Sequence, residues 1–302
     1  MALITDVNYE QETAGSPAFE TPGEQRAFRL RTELRRHPNF AIAVGLLVLV
    51  TVVAVLGHFA PPHNPLAIDP NAIMVSPKPG HWFGTDEFGR DVLSRILYGM
   101  GIDLVIGLVV ASLALLVGSA VGLVSGYLGG AVDDIVMRLV DIVMSFPSFL
   151  LALAIAVVLG NNVRNVVIAV TIAYVPYLVR LTRSSVLSAR GSDYVLGARA
   201  AGGSKLRIMA WHVLPNAIGP TIVQAALMTG WAILDVSGLS FLGVGIQPPS
   251  PELGVQVAAG SSYITSGQWW VSVFPGVAII IMVLAFNFLG DYAEEKLRGH
   301  GA

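Results

Sequence analysis

Six stretches of this chain are apolar for long enough to cross a lipid bilayer, and that property limits its fold more than any other. They run at about Phe40 to Ala60, Leu104 to Leu128, Ile135 to Leu159, Val163 to Leu181, Val213 to Val236 and Trp270 to Gly290. The first is 21 residues. As a helix that is roughly 30 Å, the thickness of the hydrocarbon layer. It exceeds the apolar core of a secretory leader and reads as a retained span. With no water inside the bilayer, each run must satisfy its backbone internally, so the expected fold is all-α and polytopic, with six transmembrane helices. Of the 302 residues 54% are hydrophobic and only 13% charged, which places the chain in the membrane class. It has no cysteine, which removes disulfides and thiolate metal sites.

Where the charges fall matters more than their sum of −2. Arg26, Arg29, Arg31, Arg35 and Arg36 precede the first span. Arg180, Arg183, Arg190, Arg199, Lys205 and Arg207 crowd the connection between the fourth and fifth, and Lys296 and Arg298 follow the sixth. Six spans put all three segments on one side, and the positive-inside rule makes that side cytoplasmic. The opposite segment, Pro61 to Gly101, balances Lys78, Arg90 and Arg95 against Asp69, Asp86, Glu87 and Asp91. The expected organisation is a cytoplasmic tail over 1–38 and a first span over 39–61. An extracytoplasmic segment over 62–101 follows, then a five-helix core over 102–291 and a cytoplasmic tail over 292–302.

Within the basic fourth-to-fifth connection lies SDYVLGARAAGGSKLRIMAWHVLPN, Ser192 to Asn216. Gly191 and the Gly202–Gly203 pair have the character of helix stops, while Ser192, Asp193 and Ser204 suit helix starts. Two short helices joined by a glycine elbow are predicted, a projection shaped to press on a separate soluble protein.

This segment resembles the cytoplasmic coupling loop, the EAA loop, of binding-protein-dependent ABC importer permeases. Ala198, Gly202, Leu214 and Pro215 fall on the family pattern, while Leu196, Gly197 and His212 replace its Glu, first Ala and Ile. HWFGTDEFGRDVLSRILYG, His81 to Gly99, resembles the block after the first helix in the dipeptide/oligopeptide/nickel branch. LSFLGVGIQPPSPELG, Leu239 to Gly254, resembles a second block of that branch, with Leu253 where Trp is usual. The likeness extends from about Arg35 to Gly290. It implies a type I importer permease fold (MetI-like) and a translocation path shared with a second, homologous permease. It also implies two ATPase subunits, which bind the ATP and Mg, and an extracytoplasmic substrate-binding protein. Short peptides are the branch's default substrate, and no nucleic acid is implied. Of a coupling loop spanning 191–214, the stretch Asp193 to Met209 would seat in a groove of one ATPase. The loop's site residues would be Asp193, Tyr194, Ala198, Arg199, Ala201, Gly202, Gly203, Lys205, Leu206, Arg207, Leu214 and Pro215. Tyr194, Ala198, Ala201 and Leu206 would supply apolar contact, and Arg199, Lys205 and Arg207 the rim.

The remaining features are read from the residues themselves. Gly118, Gly122 and Gly126 line one face of the second span and let another helix approach closely, in this chain or in a partner. Asp133 and Asp134 suit a helix N-terminus, and Asp134 precedes Arg138 by one favourable turn. Asp141 and Asp235 lie within spans, where a central charge costs roughly 2.5–3.5 kcal/mol. They either line the translocation path or, respectively, pair with Arg138 near the surface and sit wet at the outer edge. Pro147, Pro176, Pro215 and Pro220 are expected to bend their helices. From Asp91 an amphipathic helix with Val92, Ile96 and Met100 on one face is expected at the interface. His81, Asp86 and Asp91 are spaced five and five, which matches no common metal-ligand pattern, so a structural role is preferred. Gly243 and Gly245 have Pro248 where a nucleotide fingerprint needs its third glycine. With no P-loop, no His-Glu-x-x-His and no Gly-x-Ser-x-Gly, the chain has no catalytic residues of its own and is not expected to be an enzyme. The alternative function is a self-sufficient ion- or proton-coupled carrier using Asp141 and Asp235.

Overall fold

The computed structural model describes residues 38–299, so the basic tail before Pro38 lies outside the described residues. Among the described residues the fold is helical, with only isolated bridges joining Lys78 to His81 and Thr85 to Asp91. In chain order the helices are α1 (Pro38–Phe59), α2 (Val92–Leu128), α3 (Gly130–Met144), α4 (Ser148–Leu159), α5 (Val163–Ala189) and α6 (Asp193–Ala200). There follow α7 (Lys205–Ile208), α8 (Leu214–Ala217), α9 (Gly219–Phe241), α10 (Leu253–Ser261) and α11 (Trp270–Gly299). Five of them, α1, α2, α5, α9 and α11, are each long and apolar enough to cross a membrane.

The expected third span, Ile135 to Leu159, is not one helix. It breaks at Ser145–Pro147 into α3 and α4, bent by 87°. Pro147 is the N-cap of α4, with ψ at 128°, and its ring removes a hydrogen bond that a continuous helix would make there. The pair still traverses the bundle. Asp133 at the start of α3 binds Arg183 late in α5, while Asn165 at the start of α5 donates to the carbonyls of Leu159 and Gly160 at the end of α4. Eighteen residues of α5 separate those contacts, about 27 Å of helix.

Three further expectations change. The helix beginning at Asp91 is the first turns of the 37-residue α2, and Val92, Ile96 and Met100 are buried against protein, not laid on lipid. The fifth span begins at Gly219, so Pro215 and Pro220 stand at the starts of α8 and α9, not inside a span. Helix α11 continues through the expected C-terminal tail to Gly299 and carries Pro275 within it. Pro176 does lie inside α5.

Helix α2 is the axis of the fold. A Cβ at Gly118 would lie 2.6 Å from the Leu178 Cβ, and one at Gly122 would lie 2.6 Å from the Val179 carbonyl. One at Gly126 would lie 3.0 Å from the Arg183 carbonyl. The small-residue stripe therefore seats α5 of the same chain, which answers what spacing left open. Near its start α2 meets α1, with His58 stacked on Tyr98 at 4.2 Å. Helices α9 and α11 run antiparallel, Gly230 facing Phe286 and Gly290 facing Leu227.

These contacts define two ends of the bundle. One gathers the end of α1, the 62–91 loop, the start of α2, α10 and the start of α11. There the Trp270 indole donates to the Thr85 carbonyl at 3.2 Å, and Phe83 stacks on Phe274. The other gathers the end of α2, the start of α3, the end of α5 and α6–α8. Both outer helices, α1 and α11, turn their far ends toward this second side.

Candidate functional site

The projection at the second end is built by local chemistry. Helix α6 closes in a Schellman motif: the Gly203 amide donates to the Ala198 carbonyl and the Gly202 amide to that of Arg199. Gly202 holds φ at +77°, where a side chain is strained, and a Cβ on Gly203 would lie 2.9 Å from the Ala198 oxygen. The elbow therefore needs both glycines, for different reasons. Ser204 then starts α7, its hydroxyl accepting from the Arg207 amide. Ser192 starts α6 without a side-chain cap, since its hydroxyl donates back to the Ala189 carbonyl. The stop before it is the Arg190 C-cap, with Gly191 in the turn.

One face of the projection is bound to the bundle. Val195, Ile208, Met209 and Val213 are buried with Leu123 and Tyr127 of α2 and Val186 of α5, and Ala198 and Leu214 pack against this cluster. Arg199 lies over the Tyr127 ring at 5.1 Å. The opposite face is open: Tyr194, Leu196, Leu206 and Trp211 are exposed, the last two at 76% and 77%. Asp193, Ala201, Lys205, Arg207 and Pro215 are exposed as well. Of the expected apolar contacts, Tyr194, Ala201 and Leu206 thus face outward while Ala198 turns inward. Sequence reasoning missed Leu196 and Trp211. It also missed the π-helical turn Met209–Val213, which rotates the chain from α7 into α8. Turns of this kind recur at functional sites.

The two intramembrane carboxylates separate. Asp141, exposed on α3, pairs with Arg180 of α5 and not with Arg138. Asp133, rather than Asp134, is the anchored residue of its pair, held by Arg183 and by the Ser125 hydroxyl. Asp235 is half-buried and accepts a 2.8 Å hydrogen bond from the Tyr174 hydroxyl. Tyr174 also lines a cavity of about 190 Å³ with Ser148, Tyr177, Gln224, Met228 and Trp231.

The first end is a tightly bonded cap. Asp86, 3% exposed, accepts from the amides of Phe88 and Arg90 and from the Arg90 guanidinium at 2.6 Å, with Arg95 at 3.4 Å. Its role is structural, and it does not join His81 and Asp91, which are bonded to each other. Asp91 caps α2 through the Ser94 amide and hydroxyl, and its carboxyl stays below the usual range. Burial pushes it up, but hydrogen bonds from Ser94 and His81 and the His63 charge outweigh that. Asp103 on α2 and Glu252 before α10 are both buried, Asp103 accepting from the Leu253 amide and Glu252 from that of Val255. Burial raises the Glu252 carboxyl above the usual glutamate value, against the pull of that amide. Neither residue stood out in the sequence.

Bundle, axis helix and two-helix projection make a polytopic helical membrane fold. Residues 118–299 match the family described as the binding-protein-dependent transport system inner membrane component. The chain is also 41% identical over 264 residues to the probable D,D-dipeptide transport system permease protein of Escherichia coli K12, covering 87% of this chain and 88% of that one. It is 40% identical over 259 residues to the dipeptide transport system permease protein of Alkalihalophilus pseudofirmus, covering 85% of each. A di/tripeptide transport system permease protein of Pseudomonas aeruginosa is 40% identical over 264 residues, covering 84% and 87%. A crystal structure of an amino acid ABC transporter with histidines superposes with a TM-score of 0.50 at 16% identity, covering 67% of this chain and 94% of that one. The chain therefore belongs to the binding-protein-dependent ABC importer permeases and is a multi-pass protein of the inner membrane.

Proposed function

We propose that this chain is one of two permease subunits of an ATP-driven importer of di- and oligopeptides. It is coupled through residues 191–214 to an ATPase that binds the ATP and Mg, and fed by an extracytoplasmic binding protein. The observation that carries this reading is the open face of the projection. Large apolar side chains stand outward beside Lys205 and Arg207, on an elbow whose other face is bonded to α2 and α5. A soluble partner seated there covers Tyr194, Leu196, Leu206 and Trp211. Because Val195, Ile208 and Val213 are fully buried against the bundle, displacement of the projection is carried to α2 and α5, not absorbed in a loose loop. The basic rule and the shared end of α1, α11 and the projection favour a cytoplasmic location for that end and for both termini. The cap at the other end then faces the binding protein, across the 62–101 and 247–268 surfaces. Asp235, held by Tyr174 beside the cavity, offers a negative charge to a peptide's amino terminus. Peptide permeases among its relatives support the substrate class.

The test is Leu206→Glu with Trp211→Glu, together with Gly202→Glu. The first two residues are exposed, so their replacement leaves the fold intact and acts on the interface alone. The expected result is normal membrane insertion with loss of ATPase co-purification and of ATP-dependent uptake. Full uptake in all three variants excludes coupling through this surface.

A further inference from the structure

His63, His81 and Asp91 come together from three segments: the chain just after α1, the 78–81 turn and the head of α2. Their ligand atoms all lie within 4.8 Å of one another. The His81 Nδ1 stands 3.0 Å from one Asp91 oxygen and the His63 Nδ1 stands 3.7 Å from the other. We propose that these three side chains form a binding site for a divalent d-block cation of the zinc class, with one coordination position open to the adjoining cleft.

The geometry suits such an ion without rearrangement of the backbone. Tetrahedral zinc with bonds of about 2.0–2.1 Å sets its ligand atoms roughly 3.3 Å apart, so ligand atoms within 4.8 Å of one another close on the ion by side-chain adjustment alone. The ligands are also held from behind. Ser94 fixes the Asp91 carboxylate through its amide at 2.9 Å and its hydroxyl at 2.7 Å, and accepts from the His63 amide at 2.9 Å. The paired backbone bonds of Lys78 and His81 fix the third segment. Outer partners of this kind orient ligands in metal sites.

A purely structural reading accounts for His81, which hydrogen-bonds Asp91, and leaves His63 only a longer electrostatic contact with the same carboxylate. The His63 imidazole is half-exposed yet turns its Nδ1 toward a buried carboxylate at a distance too long for a hydrogen bond, and it has no other side-chain hydrogen bond among the described residues. An ion shared by the three explains that orientation. Two imidazoles with one carboxylate favour zinc, nickel or copper over magnesium and calcium, which prefer all-oxygen shells. The cleft of about 330 Å³, lined by Pro62, Gly80, Trp82 and Leu93, leaves the fourth position for water or an incoming ligand.

The full chain, purified through a tag without histidine and stripped with chelator, is titrated with ZnCl₂ and separately with CoCl₂ and MgCl₂. The expected result is one saturable Zn²⁺ per chain and a Co²⁺ visible spectrum of the intense, low-symmetry type, with no competition from Mg²⁺. His63→Ala, at an exposed position, removes the site while leaving the thermal unfolding of the metal-free chain unchanged. Ser94→Ala weakens Zn²⁺ by about 10-fold. Absence of saturable Zn²⁺ binding, or equal binding in His63→Ala, overturns the proposal. The proposed transport role is untouched by either outcome, because the readout is metal alone.

Discussion

Replacing Gly122 with alanine adds one methyl group to α2, and the structure fixes what it meets: the Val179 carbonyl at 2.6 Å, the Thr182 Cβ at 2.8 Å and the Arg183 amide nitrogen at 3.1 Å. Two of these obstacles are backbone atoms of α5 and have no rotamer to escape into. Ordinary contact begins at 3.4 Å, so the helices must part by about 0.8 Å at this point. Overpacking of that kind costs about 1–3 kcal/mol. Alanine returns up to about 1 kcal/mol as the better helix former, which leaves a net loss of up to about 2 kcal/mol when that return is complete. The controls are Gly45→Ala in α1 and Gly276→Ala in α11, where the added methyl has nothing within 4 Å. They gain the propensity term without the clash. Thermal unfolding of the three purified variants in one detergent, beside the parent, separates the two contributions. The expected order puts Gly122→Ala below the parent and both controls at or above it. A Gly122→Ala variant as stable as Gly276→Ala refutes the claim that the glycine stripe is the α2–α5 contact.

Glu252→Gln tests the buried carboxyl of the cap. Its folded pKa is raised, so the native chain holds this proton more tightly than the unfolded one. Stability therefore falls as pH rises from the ordinary glutamate value of 4.5 toward the folded value. Glutamine keeps an acceptor for the Val255 amide and cannot ionise, so the variant is expected to show a flatter stability profile above pH 4.5 and to be at least as stable at neutral pH; an unchanged profile disproves the assignment. Asp235→Asn keeps an acceptor for the Tyr174 hydroxyl and removes only the charge. A several-fold rise in KM is expected for uptake of peptides with a free amino terminus, and none for their N-acetylated forms. Unchanged affinity and rate for both would take Asp235 out of the path.

How much of this was legible in the sequence depends on whether a feature is decided by its neighbours in the chain or by distant ones. The apolar runs were legible because bilayer-length hydrophobicity is a local property, and the elbow because Gly202, Gly203 and Ser204 carry the cap chemistry themselves. The 87° break between α3 and α4 was legible only as a bend at Pro147. Its size is a matter of packing, for instance of Phe149 against Gly238 of α9. The start of α2 reads as a separate interfacial helix, yet it runs on into the span past the buried carboxyl of Asp103. That carboxyl is tolerated because the Leu253 amide, 150 residues on, reaches it.

The faces of the projection show the same division more sharply. Val195 and Leu196 are adjacent and both aliphatic, yet the first is fully buried and the second 48% exposed. No local signal distinguishes them, because the choice is made by Tyr127 and Val186 from other helices. Likewise Asp141 found Arg180 on α5, 39 residues away, rather than Arg138 one turn back. For a chain whose spans are apolar on most faces, hydropathy fixes which segments enter the membrane, while glycines and buried charges fix which segments touch. The transport role proposed for the projection rests on the second kind of information: an outward apolar face has consequences for a partner only because the inward face is locked to α2 and α5.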